Sequence, residues 1–185
     1  MATMKAAVWR GPGRDHFQLE DVERPVVAAS TDVILRVRSA TFAAMNKRAV
    51  LVGHPKLKPP AVMGRLIAGD IVEVGDKVTS VRPGDRVAID PERCEVTPGG
   101  FAEFVQASGD TDGGLVHLPD GLSYDHGSYA ETLSCVCWGA LRSEVTIGDT
   151  VAVVGCGGVG LTHAQVARLR GATQVIGIEI GRAHV

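Results

Sequence analysis

The sequence predicts an α/β chain in which a β-rich, barrel-like domain is followed by a partial βαβ unit. Three observations carry this reading. Short strand-like runs, punctuated by Gly, Pro and Asp, fill the first two-thirds of the 185 residues. The character changes near Leu122, where Ser123 stands as an N-cap ahead of a helical stretch. Towards the end an apolar run, a glycine loop, a helical stretch and a second apolar run closed by Glu179 follow one another.

The elements are justified in turn. Residues 5–9, 17–22 and 33–37 carry strand residues or alternation. Residues 66–74 and 86–89 are two further strands, joined across Arg82-Pro83-Gly84-Asp85, a turn sequence whose glycine suits a positive φ. Residues 101–105 and 116–118 continue the pattern. Residues 124–141 read as one helix or a pair of short ones. Thr150-Val151-Ala152-Val153-Val154 has the composition of a strand buried on both faces of a parallel sheet. The helix after the glycine loop runs to about Arg170, with Gly171 as its stop, and residues 175–178 form the last strand. The expected divisions are a β domain over 1–122, a connecting helical segment over 123–148 and an incomplete dinucleotide-binding unit over 149–185. Two parallel strands do not cover themselves, so this unit is expected to be completed by further C-terminal sequence or by a partner, including a second copy.

Composition narrows the class. Apolar residues make up 45% and charged residues 22%, as in soluble globular proteins. A net charge of −2 without a basic block argues against nucleic acid. No apolar run approaches the ~20 residues of a membrane helix, and the N-terminus lacks a signal-peptide core. Cys94, Cys135, Cys137 and Cys156 are not spaced as a disulfide framework, which points to a reducing, cytoplasmic setting. Residues two apart on a helix face different ways, so Cys135 and Cys137 are expected to be buried small hydrophobes rather than metal ligands.

The loop Gly155-Cys156-Gly157-Gly158-Val159-Gly160 carries the cofactor chemistry. Gly155 permits a tight turn off the strand, Gly157 admits a pyrophosphate to the backbone, and Gly160 lets the helix pack close. The N–H groups and dipole at the helix start, at Gly158, Val159 and Gly160, attract phosphate. A lone GxGxxG is weak evidence; here the strand, the helix and the acid nineteen residues beyond Gly160 agree with it. Glu179 is placed to accept from the adenosine ribose hydroxyls and to repel a 2′-phosphate, favouring NAD over NADP, with nearby Arg182 as the contrary charge. His163, within the helix, is expected to pack or face solvent.

Taken together, these pieces resemble the medium-chain dehydrogenase/reductase superfamily, with a GroES-like β domain followed by a Rossmann domain. The resemblance rests on Met4-Lys5-Ala6-Ala7-Val8, Pro83-Gly84-Asp85-Arg86-Val87, Gly99-Gly100-Phe101-Ala102-Glu103-Phe104-Val105, Leu118-Pro119-Asp120-Gly121-Leu122-Ser123 and Gly148-Asp149-Thr150-Val151, and on residues 64–78. That last stretch is similar to the G-H-E-x-x-G-x-x-x-x-x-G-x-x-V signature of zinc-containing alcohol and polyol dehydrogenases. Gly64, Gly69, Gly75 and Val78 are in step with it, but Arg65 and Leu66 replace the His and Glu. A typical member is about twice this length.

The resemblance also implies where zinc would bind, and there the donors are missing. The Cys of the family's G-x-C-G-[ST]-D segment is replaced by Ala43, its hydroxyl residue by Met45, and the His by Arg65; none of these side chains ligates Zn²⁺. The structural zinc lobe is reduced to residues 92–98 with Cys94 alone. No zinc is therefore expected. Glu131, in Ala130-Glu131-Thr132-Leu133, matches the site-facing Glu of an E-P-L segment. Arg65 and Glu131 are expected to meet where the metal would sit, as a bidentate ion pair first, with stabilisation of a developing oxyanion by Arg65 as the second role. Tyr124, Tyr129 and His126 are the other acids in reach of Glu131, with packing or solvent roles favoured for each.

The expected function is a zinc-independent oxidoreductase passing hydride between NAD(H) and a small alcohol or carbonyl substrate. The alternatives are a dinucleotide-binding remnant without activity, and a scaffold using an exposed sheet edge.

Overall fold

The computed structural model describes residues 2–13, 17–54, 56–109 and 113–181. The chain forms two compact units, Met1–Tyr129 and Ala130–Val185. Arg182, singled out above, lies outside the described residues.

The first unit is antiparallel. Strands β1 (Thr3–Trp9), β2 (Phe17–Glu23) and β4 (Ala61–Val62) form one sheet in the order β2-β1-β4. A six-stranded sheet is built from β3 (Asp32–Thr41), β5 (Leu66–Val74), β6 (Arg86–Ile89), β7 (Val96–Thr97), β8 (Phe104–Ser108) and β9 (Leu115–His117), in the order β7-β8-β3-β5-β6-β9. The sheet curls into a half-barrel, as the sequence predicts. Its core is Val33, Leu35, Ile67, Ile71, Val81, Val87, Ile89, Cys94, Val105 and Ala107. Each buried Val, Leu or Ile there contributes about 1.5–3 kcal/mol relative to an exposed one. The strand expected at 101–105 begins instead at Phe104. Gly100 and Phe101 are held off it by N–H bonds to Gly64 O and Met63 O, both 2.8 Å.

The glycines of the 64–78 signature are explained by packing. A Cβ on Gly69 would lie 2.1 Å from Arg36 O across the sheet, and one on Gly75 would lie 2.4 Å from Ser30 O. Gly64 adopts φ +105° and would meet Phe101 N at 2.9 Å. These positions exclude any side chain whether or not a metal is near.

Two short helices belong to this unit. The nine-residue α1 (Ala44–Val52) follows β3 where no helix is predicted. Its start is capped from inside, because Asn46 Oδ1 accepts the Ala43 N–H at 2.9 Å, and Gly53, at φ +95°, ends it with an N–H to Ala49 O. Helix α2 (Tyr124–Ser128) has the predicted cap: Ser123 Oγ accepts the His126 N–H at 3.2 Å. Tyr124 fastens α2 to the sheet. Its hydroxyl donates to Asp70 Oδ1 on β5, and its ring lies under the guanidinium groups of Arg86 (4.6 Å) and Arg38 (5.7 Å).

The second unit holds α3 (Ala130–Arg142), β10 (Thr150–Val154), α4 (Gly158–Leu169) and β11 (Gln174–Ile178). β10 and β11 pair in parallel, Val151 opposite Val175 and Val153 opposite Gly177. Helix α4 packs on Val153, and α3 packs on α4 where Gly139 faces the His163 ring. His163 is thus a packing residue, as predicted.

Two expectations are corrected here. β10 is not buried on both faces. Ala152, Val154, Ile176 and Ile178 share one face and are exposed, Val154 by 81%, because the helix lies only on the opposite face. Cys135 and Cys137 are exposed rather than buried. The buried stripe of α3 is Val136 and Ala140, four residues apart, and each cysteine is one residue off it, about 100° round the helix.

Candidate functional site

The glycine loop is formed as its sequence implies. Strand β10 ends at Val154, and Gly155 turns the chain at φ +91° while its N–H donates to Ile178 O at 2.7 Å. Gly157 then takes the N-cap position of α4. A Cβ on Gly160 would lie 1.8 Å from Gly155 O, so the first turn of α4 sits directly on the loop. Nothing lies within 4 Å of a Cβ built on Gly157. That open backbone, beside the exposed Gly158 and Val159, is shaped to admit a pyrophosphate, and the residues present fit the group.

Glu179 closes the loop's other side. Its Oε2 accepts the Cys156 N–H at 2.8 Å and its Oε1 accepts the Ile180 N–H at 2.8 Å. The side chain is thereby aimed across the C-terminal ends of β10 and β11. A carboxylate has about four acceptor positions, so two remain for hydroxyls. The sequence alone did not signal that the second residue of the glycine motif, Cys156, would fix the acid.

In the first unit the positions aligned with a metal site are brought together by register. Thr41 on β3 faces Leu66 on β5, so Phe42 and Arg65 are the next residues along these two strands, and Ala43 follows. Leu66, at the position of the lost Glu, is buried in the unit at 7% exposure. Arg65 is exposed, and its Nη2 donates to Pro91 O and lies 3.2 Å from Glu92 Oε1. The shortened segment after β6 thus supplies its partners. With side-chain exposures of 61% and 73%, that ion pair is worth about 0–1 kcal/mol. Thr41 Oγ1 is tied to Ser128 Oγ at 2.8 Å.

Glu131 lies in the first turn of α3, in the second unit, where its Oε1 accepts from Cys135 Sγ at 3.4 Å and its Oε2 from Thr132 Oγ1 at 3.4 Å. Each half of the expected Arg65–Glu131 pair therefore has partners in its own unit. Among the described residues no group of three His, Cys, Asp or Glu is arranged to hold a metal ion. A cleft of about 710 Å³ in the first unit is lined by Arg36, Arg38, Arg86, Glu103, Tyr124 and Asp125, among others. It contains none of the residues aligned with the metal site or with the glycine loop, and it follows the seam where Tyr124 ties α2 to the sheet.

The alcohol dehydrogenase GroES-like domain model matches residues 29–135. The chain belongs to this family, within the medium-chain dehydrogenase/reductase superfamily. It is 29% identical to rat sorbitol dehydrogenase over 96% of this chain and 56% of that protein. It is 36% identical to sorbitol dehydrogenase 1 of Saccharomyces cerevisiae over 70% of this chain and 42% of that one. A zinc-binding dehydrogenase of Sinorhizobium meliloti 1021, solved with bound NADP, superposes with a TM-score of 0.80 at 27% identity, covering 96% of this chain and 56% of the other. The chain spans about half the length of the curated relatives it matches. No helix among the described residues is long and apolar enough to cross a membrane.

Proposed function

We propose that this chain is the β domain and the opening of the dinucleotide-binding domain of an NAD(H)-dependent oxidoreductase that works on an alcohol/carbonyl pair without zinc. The observation that carries the cofactor half is the Cys156–Glu179 bond, which sets a carboxylate at the mouth of an open glycine loop. When bound, the nicotinamide supplies the hydride acceptor or donor. The chain's own contribution is to cradle the phosphates on the N–H groups at the start of α4 and to bind ribose hydroxyls through Glu179. The negative charge of Glu179 favours NAD over NADP. Titration of the protein with NADH and NADPH tests this. NADH is expected to bind at least ten-fold tighter, and Glu179→Gln to narrow the gap. Equal affinities for the two cofactors in the unaltered chain would overturn the preference.

Zinc independence is supported by the donor chemistry at Ala43, Arg65 and Leu66. In place of a metal, Arg65 supplies a permanent positive charge. It stabilises a developing oxyanion but does not shuttle a proton at neutral pH. Glu131 is proposed as a further site residue from its motif alone. Turnover that survives a strong chelator, together with zinc well below one equivalent by elemental analysis, is the expected result. Arg65→Ala is expected to lower kcat/KM at least ten-fold, with Arg65→Lys intermediate. The same missing donors favour a second reading, dinucleotide binding without catalysis. Its signature would be NADH binding with no turnover across a panel of alcohols and ketones.

A further inference from the structure

We infer that the substrate surface of the first unit is built for an aromatic or otherwise apolar carbonyl compound rather than a polyol, with Phe42 as the specificity-determining contact. This rests on the oxidoreductase reading above and names the substrate class of the same site. Phe42 is 54% exposed, and its ring stacks on Phe101 with centroids 5.8 Å apart and planes 15° apart. Phe101 is in turn fixed by its N–H bond to Met63 O and by Gly64, whose missing side chain makes room for the ring edge. The pair therefore forms an aromatic step beside the turn that carries Arg65. Three residues beyond Phe42, Met45 adds an exposed thioether (49%) in the first turn of α1. Aromatic rings and thioethers favour contact with flat apolar or conjugated groups.

The side-chain oxygens on either side are already engaged. Thr41 Oγ1 is bonded to Ser128 Oγ, and Asn46 Oδ1 to the Ala43 N–H. A polyol set on this surface would leave hydroxyls without partners, at about 1–3 kcal/mol for each one desolvated. A single carbonyl oxygen has a partner. Both bonds of Arg65 are made by Nη2, so among the described residues its Nε and Nη1 remain available to donate. One cationic side chain on the turn next to an aromatic step suits one oxygen on an apolar body.

The test uses the full chain with 4-fluoroacetophenone, followed by ¹⁹F line broadening, and sorbitol, followed by saturation-transfer NMR, each with and without NADH. The ketone is expected to bind and sorbitol at equal concentration to give no transfer. Phe42→Ala should weaken the ketone at least five-fold, while Phe42→Tyr, which keeps the ring, should retain it; circular dichroism confirms that both variants fold. Sorbitol binding as tight as the ketone's, or ketone binding that is absent or indifferent to Phe42→Ala, would overturn the inference. Ketone binding that depends on Phe42 but leads to no turnover sustains it and counts against the oxidoreductase reading alone. Turnover of sorbitol without ketone binding does the reverse.

Discussion

At the residue scale, single atoms decide between a retained scaffold and a retained chemistry. Gly64, Gly69 and Gly75 persist because a Cβ at each would strike backbone, so the signature's glycines report packing. Arg65 and Leu66, at its metal-facing positions, have become an exposed cation held by Glu92 and a buried aliphatic. The sequence shows this substitution directly, but the partner of Arg65 is not legible there, since it comes from a segment 27 residues on with no motif of its own. Gly160 offers a sharp test. With 1.8 Å between its virtual Cβ and Gly155 O, Gly160→Ala must move α4 off the loop. NADH binding, read by fluorescence enhancement, should fall at least ten-fold, and unaltered affinity would refute the assigned role. Tyr124→Phe removes one hydrogen bond to a carboxylate and should lower stability by about 1.5–3 kcal/mol in urea unfolding.

At the scale of elements, legibility follows the strength of the local signal. β5, β6 and β10 fall where periodicity and punctuation place them. Helix α1 does not announce itself, because its N-cap is an alanine and the capping oxygen is delivered from Asn46, inside the helix. The cysteines of α3 are misjudged because composition says what tends to be buried, whereas Val136 and Ala140 settle which side of this helix is. The stretch expected to be one connecting segment divides by contact: α2 rests on β3, β5 and β6, and α3 on α4. The Ser123 cap, by contrast, is visible in both sequence and structure. Ser123→Ala should cost about 1 kcal/mol, seen as a lowered urea midpoint with an unchanged m-value.

At the scale of the whole molecule, the two units differ in how completely they cover apolar surface. The half-barrel encloses its core, whereas β10 and β11 present Ala152, Val154, Ile176 and Ile178 on an open face. The sequence foretells a two-stranded sheet in need of cover; it does not say which face lacks it, since both carry aliphatic residues. A polypeptide of these 185 residues should therefore bind the dye ANS, and a Val154→Thr, Ile178→Thr double variant should bind markedly less at unchanged secondary structure. Equal dye binding by both proteins would show that this face is not the exposed one. The open face also has a calorimetric consequence. Exposed aliphatic surface raises heat capacity by about 0.45 cal per mol per K for each Å², so any chain that closes over these residues must do so with an enthalpy that grows more negative on warming. A plot of association enthalpy against temperature would then measure, from its slope alone, how much of the sheet a partner covers.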